Sequence, residues 1–143
     1  MGFGYEFMER ADGYRGLVKA YDLEFAAPPR TMELGLQYRA LKEGKLDVVV
    51  GNSTEGVIEA LDLVILEDDR RYFPPYYAAP IVRQDTLERH PALRVVLNDL
   101  AGQINEEEMR QMNYAVDSER RDVKKVVREF LVFKGLLKKV SVG

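Results

Sequence analysis

The stretch Leu36-Gln-Tyr-Arg-Ala-Leu-Lys-Glu-Gly-Lys-Leu-Asp-Val-Val-Val-Gly-Asn-Ser-Thr54 carries the reading of the fold. Its first part closes a helix that Thr31 can cap. Met32, Leu34, Leu36, Tyr38 and Leu41 give that helix a broad apolar face, and Gly44 supplies its stop. The run Leu46-Asp-Val-Val-Val50 is short and mostly apolar, the mark of a strand covered on both faces, as in a parallel sheet. Gly51 to Thr54 then reads as a strand-to-helix turn, with Ser53 or Thr54 as cap and Val57, Ile58 and Leu61 on the inner face of the next helix.

Working outward, Phe3-Gly-Tyr-Glu-Phe-Met-Glu9 alternates and predicts an edge strand with Phe3, Tyr5 and Phe7 on one face. Asp12 is placed to cap a short helix carrying Leu17, Val18 and Tyr21, and residues 22–30, with Pro28-Pro29, read as a second short strand and a loop. Asp62-Leu-Val-Ile-Leu66 predicts another strand, and Glu67 to Arg71 a solvated, charged turn. The proline-rich segment 72–83 reads as a crossing strand, because proline forbids helix and removes ladder donors. Beyond it only helices are signalled: 87–100 with Pro91 breaking the first turn, 105–115 capped by Asn105 with three glutamates behind it, and 121–139. Strands with crossover helices to about Leu66, then helices alone, predict an α/β fold. Its last helices either fold back on the first half or pack on a sheet from a segment outside the chain.

Composition narrows the function. The 143 residues suit one domain with a real core. Twenty-one basic against 24 acidic residues give a net charge of −3, which disfavours nucleic acid as a partner. With no cysteine and one histidine, disulfides, thiol nucleophiles and histidine-rich metal sites are excluded, and neither a metal nor a cofactor is expected. No run reaches the ~18 apolar residues of a membrane span, and residues 1–10 lack the pattern of a signal peptide, so any export signal is expected outside this chain. Asp12, Asp47, Glu55, Asp68 and Asp69 read as caps and turns, Ser53 lacks the glycine bracketing of a nucleophile elbow, and His90 has no partner pattern, so the reading is of a protein that is not an enzyme. The basic tail (Arg121, Lys124, Lys125, Arg128, Lys134, Lys138, Lys139) suits a helix laid on an anionic membrane or a partner, but it flanks an apolar stripe of Val123, Val126, Val127, Phe130, Leu131 and Leu137, the pattern of a packed terminal helix, which is the expectation. One cluster stands apart: Tyr72, Phe73, Tyr76 and Tyr77, stiffened by Pro74, Pro75 and Pro80. Such rings either fill a core or surround a quaternary ammonium group, a contact worth about 0.5–2 kcal/mol per ring.

Several motifs together resemble the osmoprotectant-binding proteins of ABC transporters, of the glycine betaine, carnitine and choline type. They are Phe7-Met-Glu-Arg-Ala-Asp-Gly-Tyr14 with Gly16-Leu17 and Tyr21, Ala40 to Val48, Ser53-Thr-Glu-Gly56, Ile65-Leu-Glu-Asp-Asp69, Phe73-Pro-Pro-Tyr76 with Ala78-Ala-Pro80, and Met112-Asn113 before Phe130-Leu131. The match runs over nearly the whole chain but covers only the second part of such a protein. The resemblance implies a partial periplasmic-binding-protein type II-like fold: residues 1–66 as the α/β part of the second lobe, 67–83 as a hinge and crossing strand, and 84–143 as helices completing the first lobe.

It further implies a solute-binding component of an importer for glycine betaine or choline, working by an aromatic cage and by lobe closure. Tyr76 corresponds to a cage tyrosine, Arg10 to a residue that contacts the other lobe on closure, and Glu6 lies near it on the same strand. Asn52 stands where the family usually has a tyrosine in a Tyr-Ser-Thr-Asp-Gly turn, which removes one ring and leaves an amide that prefers hydrogen-bonding partners. The partners implied are the small solute and the membrane permease, in a periplasmic or extracellular location. A homodimer formed by helix exchange is a further expectation, since helices without their own sheet leave apolar surface open. The competing class is a diverged or truncated relative kept for self-association or docking, without ligand.

Overall fold

The structure, a computed structural model, describes residues 1–138, so the Lys139 end of the expected last helix lies outside the described residues. The chain divides into two compact units, Met1–Ser53 with Leu61–Pro75, and Thr54–Ala60 with the residues from Tyr76 onward.

The first unit is built on parallel pairing. Strand β1 (Gly2–Phe3) lies between β2 (Arg30–Thr31), in the register Gly2 to Arg30 and Phe3 to Thr31, and the 48–50 segment, where Val49 bridges Gly2. Its ladder to the latter runs from Gly2 N to Val48 O (2.9 Å) and from Val50 N to Gly2 O (3.1 Å). The parallel arrangement expected from residues 46–50 is therefore present, with one correction: β1 is the middle strand and not an edge. It is also shorter than the alternation in 3–9 suggests. After Gly4 the backbone winds into α1 (Glu6–Glu9), with Phe7 N bonded to Gly4 O and Met8 N to Tyr5 O. Winding brings Phe3 and Phe7 together, ring centroids 5.2 Å apart, and turns Tyr5 away from them. A two-residue strand followed by one helical turn cannot keep three alternate residues on one face.

Helix α2 (Tyr14–Tyr21) is preceded by Gly13 as its N-cap, not by Asp12, whose carboxylate accepts from Arg10 instead. Helix α3 (Leu34–Lys42) starts behind Glu33, because Thr31 is used in β2, and it stops at Gly44 with φ +67° as expected. It buries Gln37 and Tyr38 against the sheet. The buried apolar residues of this unit are Phe3, at 0% exposure, Phe7, Tyr38 and Leu46, and from Phe3 and Phe7 a continuous series of ring contacts runs out through Phe73 to Tyr72 and through Tyr14 to Phe25.

The strand expected at 62–66 has no ladder among the described residues, and Val64, Ile65 and Leu66 are exposed. The proline-rich segment likewise forms no ladder among the described residues. An apolar extended run becomes a strand only when a neighbour takes its backbone groups.

The second unit is helical: α4 (Val57–Ala60), α5 (Gln84–Arg89), α6 (Ala92–Asn98), α7 (Glu106–Asp117) and α8 (Val123–Phe133). Pro91 divides the 87–100 stretch into α5 and α6. Asn105 caps α7 in a full capping box with Glu108, as its sequence predicts. Helix α8 is shorter than 121–139: Asp122 caps it by accepting from Lys125 N, and Gly135 at φ +74° lies just past its end. Helix α4 approaches α7 closely at Gly56, where a Cβ would stand 2.5 Å from Tyr114 N. There Asn113 Nδ2 donates to Thr54 O (2.8 Å) and Arg110 Nε pairs with Glu59 (2.6 Å). Val126 is buried, but Val123 and Val127 of the expected inner stripe are exposed, as are Val95 and Val96 on α6.

Candidate functional site

Chain order reverses about β1. The chain leaves β1 for β2 on one side, and the later 48–50 segment joins on the other, all three running parallel. Open α/β sheets gather ligands beyond the carboxyl ends of their strands at such a reversal. The residues there are Gly4, Tyr5 and Glu6 after β1, and Gly51 and Asn52 after the 48–50 segment. Two expected site residues, Glu6 and Asn52, thus follow neighbouring parallel segments, and both are exposed.

The frame behind this edge is held by Gln37, a residue for which hydrophobic patterning gives no signal. Its side chain is fully buried in the first unit, and Nε2 donates to Val50 O at 2.6 Å, tying the last residue of the 48–50 segment to α3. A buried amide is kept only where it bonds, so Gln37 fixes the point from which the Gly51-Asn52 turn departs.

Arg10, the third expected residue, follows α1. Its guanidinium forks onto Asp12, with Nε to Oδ1 at 2.8 Å and Nη2 to Oδ2 at 2.5 Å, and this contact holds the Asp12 carboxyl below its ordinary range. Arg10, Glu9, Glu6 and Tyr5 line an open depression of about 450 Å³. Glu6 belongs to a helical turn, not to the strand expected from the alternation.

The aromatic cluster divides. Tyr72 and Phe73 belong to the core series, their rings edge to face at 5.0 Å, with the Tyr72 hydroxyl buried against α2 at Gly16. Tyr76 and Tyr77, beyond Pro74-Pro75, are 82% and 86% exposed and lie in the second unit. The first pair packs its rings onto the aromatic series while Phe73 stays 37% exposed; the second pair is left with open ring faces.

What docks the first pair is Asp68, which corrects the reading of 67–71 as a merely solvated turn. Its carboxylate accepts from Tyr72 N (2.8 Å), Phe73 N (2.9 Å) and the Tyr21 hydroxyl. The Tyr21 bond, followed by those backbone donors, lowers the Asp68 pKa against some desolvation. Desolvation and the same carboxylate raise that of Tyr21. Arg70 lies 5.2 Å over the Tyr21 ring and donates to Ala20 O. Among the described residues no group of three Asp, Glu or His side chains is placed to hold a metal ion. No helix among them is long and apolar enough to cross a membrane.

Residues 1–132 match the family of the substrate binding domain of ABC-type glycine betaine transport systems. The carnitine transport binding protein OpuCC of Listeria monocytogenes is 41% identical over 131 residues, 91% of this chain and 42% of the relative. The glycine-betaine-binding protein of Pseudomonas aeruginosa is 34% identical over 127 residues, 88% of this chain and 41% of the relative. A solved structure described as a glycine betaine/carnitine/choline ABC transporter superposes with a TM-score of 0.79 at 40% identity, over 94% of this chain and 49% of that one. The chain thus spans about half the length of the relatives it matches, and its fold is part of the α/β periplasmic-binding-protein type.

Proposed function

The chain belongs to the family of substrate-binding domains of ABC-type glycine betaine transport systems, and on that premise we propose that it is a solute-binding component for quaternary-ammonium compounds such as glycine betaine or choline, without a reaction of its own. In this reading residues 1–66 build the second lobe, 67–83 form the hinge, and 84–143 complete the first lobe. The work is done outside the cytoplasm beside a membrane permease. The observation that carries the reading is the open Tyr76 ring, 82% exposed and reached through Pro74-Pro75 from a segment that Asp68 docks. A quaternary ammonium offers no N–H, so it is held by ring faces and by diffuse charge, and a rigid exposed ring is the matching surface. Arg10 and Glu6 are the contacts made when the lobes close, and closure is driven by contacts better made in the closed state. Asn52 adds a polar contact at the sheet edge in place of a ring.

In the 143-residue chain taken alone, affinity is low, because the rest of the cage belongs to the part of the fold this chain does not span. In the same proposal the apolar side chains open on α6 and α8 draw two such copies together by exchanged helices. Light scattering that finds a monomer throughout the assayed concentrations refutes this last part. For the site, glycine betaine and choline are titrated into the chain and followed by NMR shifts, which register weak binding. Tyr76→Ala is expected to weaken binding by about 2- to 30-fold, the equivalent of one cation–π contact, with the melting temperature unchanged. Saturable binding by the wild type that Tyr76→Ala leaves intact, or no binding by the wild type at all, overturns the proposal.

A further inference from the structure

Tyr5 has no place in the core of the first unit, although its neighbours in the alternation do. Phe3 and Phe7 are buried in the aromatic series, and Tyr5 between them is 64% exposed. Its position is set by backbone and not by side-chain packing: Met8 N donates to Tyr5 O and Phe7 N to Gly4 O, closing the turn that leads into α1. That turn follows the carboxyl end of β1, the middle strand at which chain order reverses. Tyr5 lines the open depression together with the acidic residues Glu6 and Glu9 and with Arg10, whose own charge is met by Asp12 at 2.5 Å. An aromatic face beside an excess of negative charge is a surface for an organic cation: the ring quadrupole and the carboxylates both attract positive charge, and neither requires an N–H from the ligand.

We propose that Tyr5 is a specificity-determining residue of the solute site, presenting a ring face to the cationic head group from the β1 side, with Glu6 and Glu9 selecting for positive charge. The inference rests on the reading of the chain as a quaternary-ammonium binder. It adds an aromatic contact at the sheet edge where Asn52, after the neighbouring segment, offers none.

The test titrates choline into the intact chain alongside its neutral isostere 3,3-dimethylbutan-1-ol, which has the same shape without the charge. The wild type is expected to prefer choline. Tyr5→Ala and Tyr5→Leu are expected to lose about 3- to 30-fold in choline affinity and to narrow the preference over the isostere, while Tyr5→Phe retains both. Leucine keeps apolar bulk without a ring face, so its loss separates a cation contact from simple packing. Unchanged melting temperatures are expected, the ring being exposed. If Tyr76→Ala weakens choline binding while Tyr5→Leu matches the wild type, the inference on Tyr5 falls alone. If the wild type binds neither choline nor the isostere, the reading of the chain as a binder falls and takes the inference with it.

Discussion

Replacing Gly16 by alanine probes the contact that ties the aromatic segment to α2. A Cβ at Gly16 would run into the Tyr72 hydroxyl oxygen, would stand 3.1 Å from its Cζ, and would lie 2.7 Å from Ala11 O. In an open helix the exchange gains about 1 kcal/mol from backbone entropy. Here overpacking opposes it by about 1–3 kcal/mol, because the ring must retreat from a slot it shares with the Phe73, Phe7 and Phe3 series. The net effect expected is a loss of up to about 2 kcal/mol, read as a lower urea midpoint at unchanged slope. Tyr72→Phe removes the atom that clashes. The hydroxyl is buried without a hydrogen-bond partner among the described residues, so its removal relieves a desolvation penalty, and this variant is expected to be neutral or stabilised by up to about 1 kcal/mol. In the Tyr72→Phe background Gly16→Ala should then cost at least about 1 kcal/mol less than in the wild type, a coupling that a double-mutant cycle reads directly. Additive effects of the two substitutions, or a destabilised Tyr72→Phe, would show that the hydroxyl does not sit against Gly16.

Gly56→Ala meets backbone rather than side chain, with Tyr114 N at 2.5 Å and Asn113 C at 2.7 Å, so α7 must move off α4 and the Asn113 bond to Thr54 O is lost; about 2–3 kcal/mol of destabilisation is expected in urea melts. Gln37→Met should cost about 1 kcal/mol, since Val50 O loses its donor while one unpaired buried oxygen disappears with the amide, and an unchanged midpoint would refute the tie. The Asp68 carboxyl is held below its ordinary 3.8, so the stability it contributes is complete above that value and drains away as pH falls through the lowered one. Urea midpoints measured on both sides of pH 3.8 should therefore fall more steeply for the wild type than for Asp68→Asn, and parallel curves would contradict the latch. On the alkaline side the Tyr21 hydroxyl, raised above 10.0, protects the same contact until pH passes its raised value, visible as a delayed phenolate absorbance.

The helical landmarks are legible in the sequence because they rest on local chemistry. Asn105 with Glu108 three residues on makes a capping box wherever the chain lies, Pro91 divides a helix in any context, and Gly44 supplies positive φ at a helix end; the stop at Gly135 is hidden by the apolar stripe that reads on to 139. The parallel setting of residues 46–50 is equally readable from their apolar composition. Of the candidate site, the resemblance names Tyr76, Arg10, Glu6 and Asn52, whereas alternation puts Tyr5 on one face with Phe3 and Phe7 because it presumes a strand that continues.

Residues a few positions apart thus suffice for the class of fold, the helix ends and the family motif. Which apolar runs become strands is settled only in three dimensions, since a ladder needs a neighbour whose groups are free: residues 48–50 found β1, and residues 62–66 found none among the described residues. The same holds for which aromatics serve the core. Asp68, reaching Tyr21 across 47 positions, docks the backbone of Tyr72 and Phe73 so that their rings join the aromatic series, and leaves Tyr76 and Tyr77 beyond Pro74-Pro75 with their faces open. A bond spanning that separation depends on how the chain folds back, which no local pattern encodes.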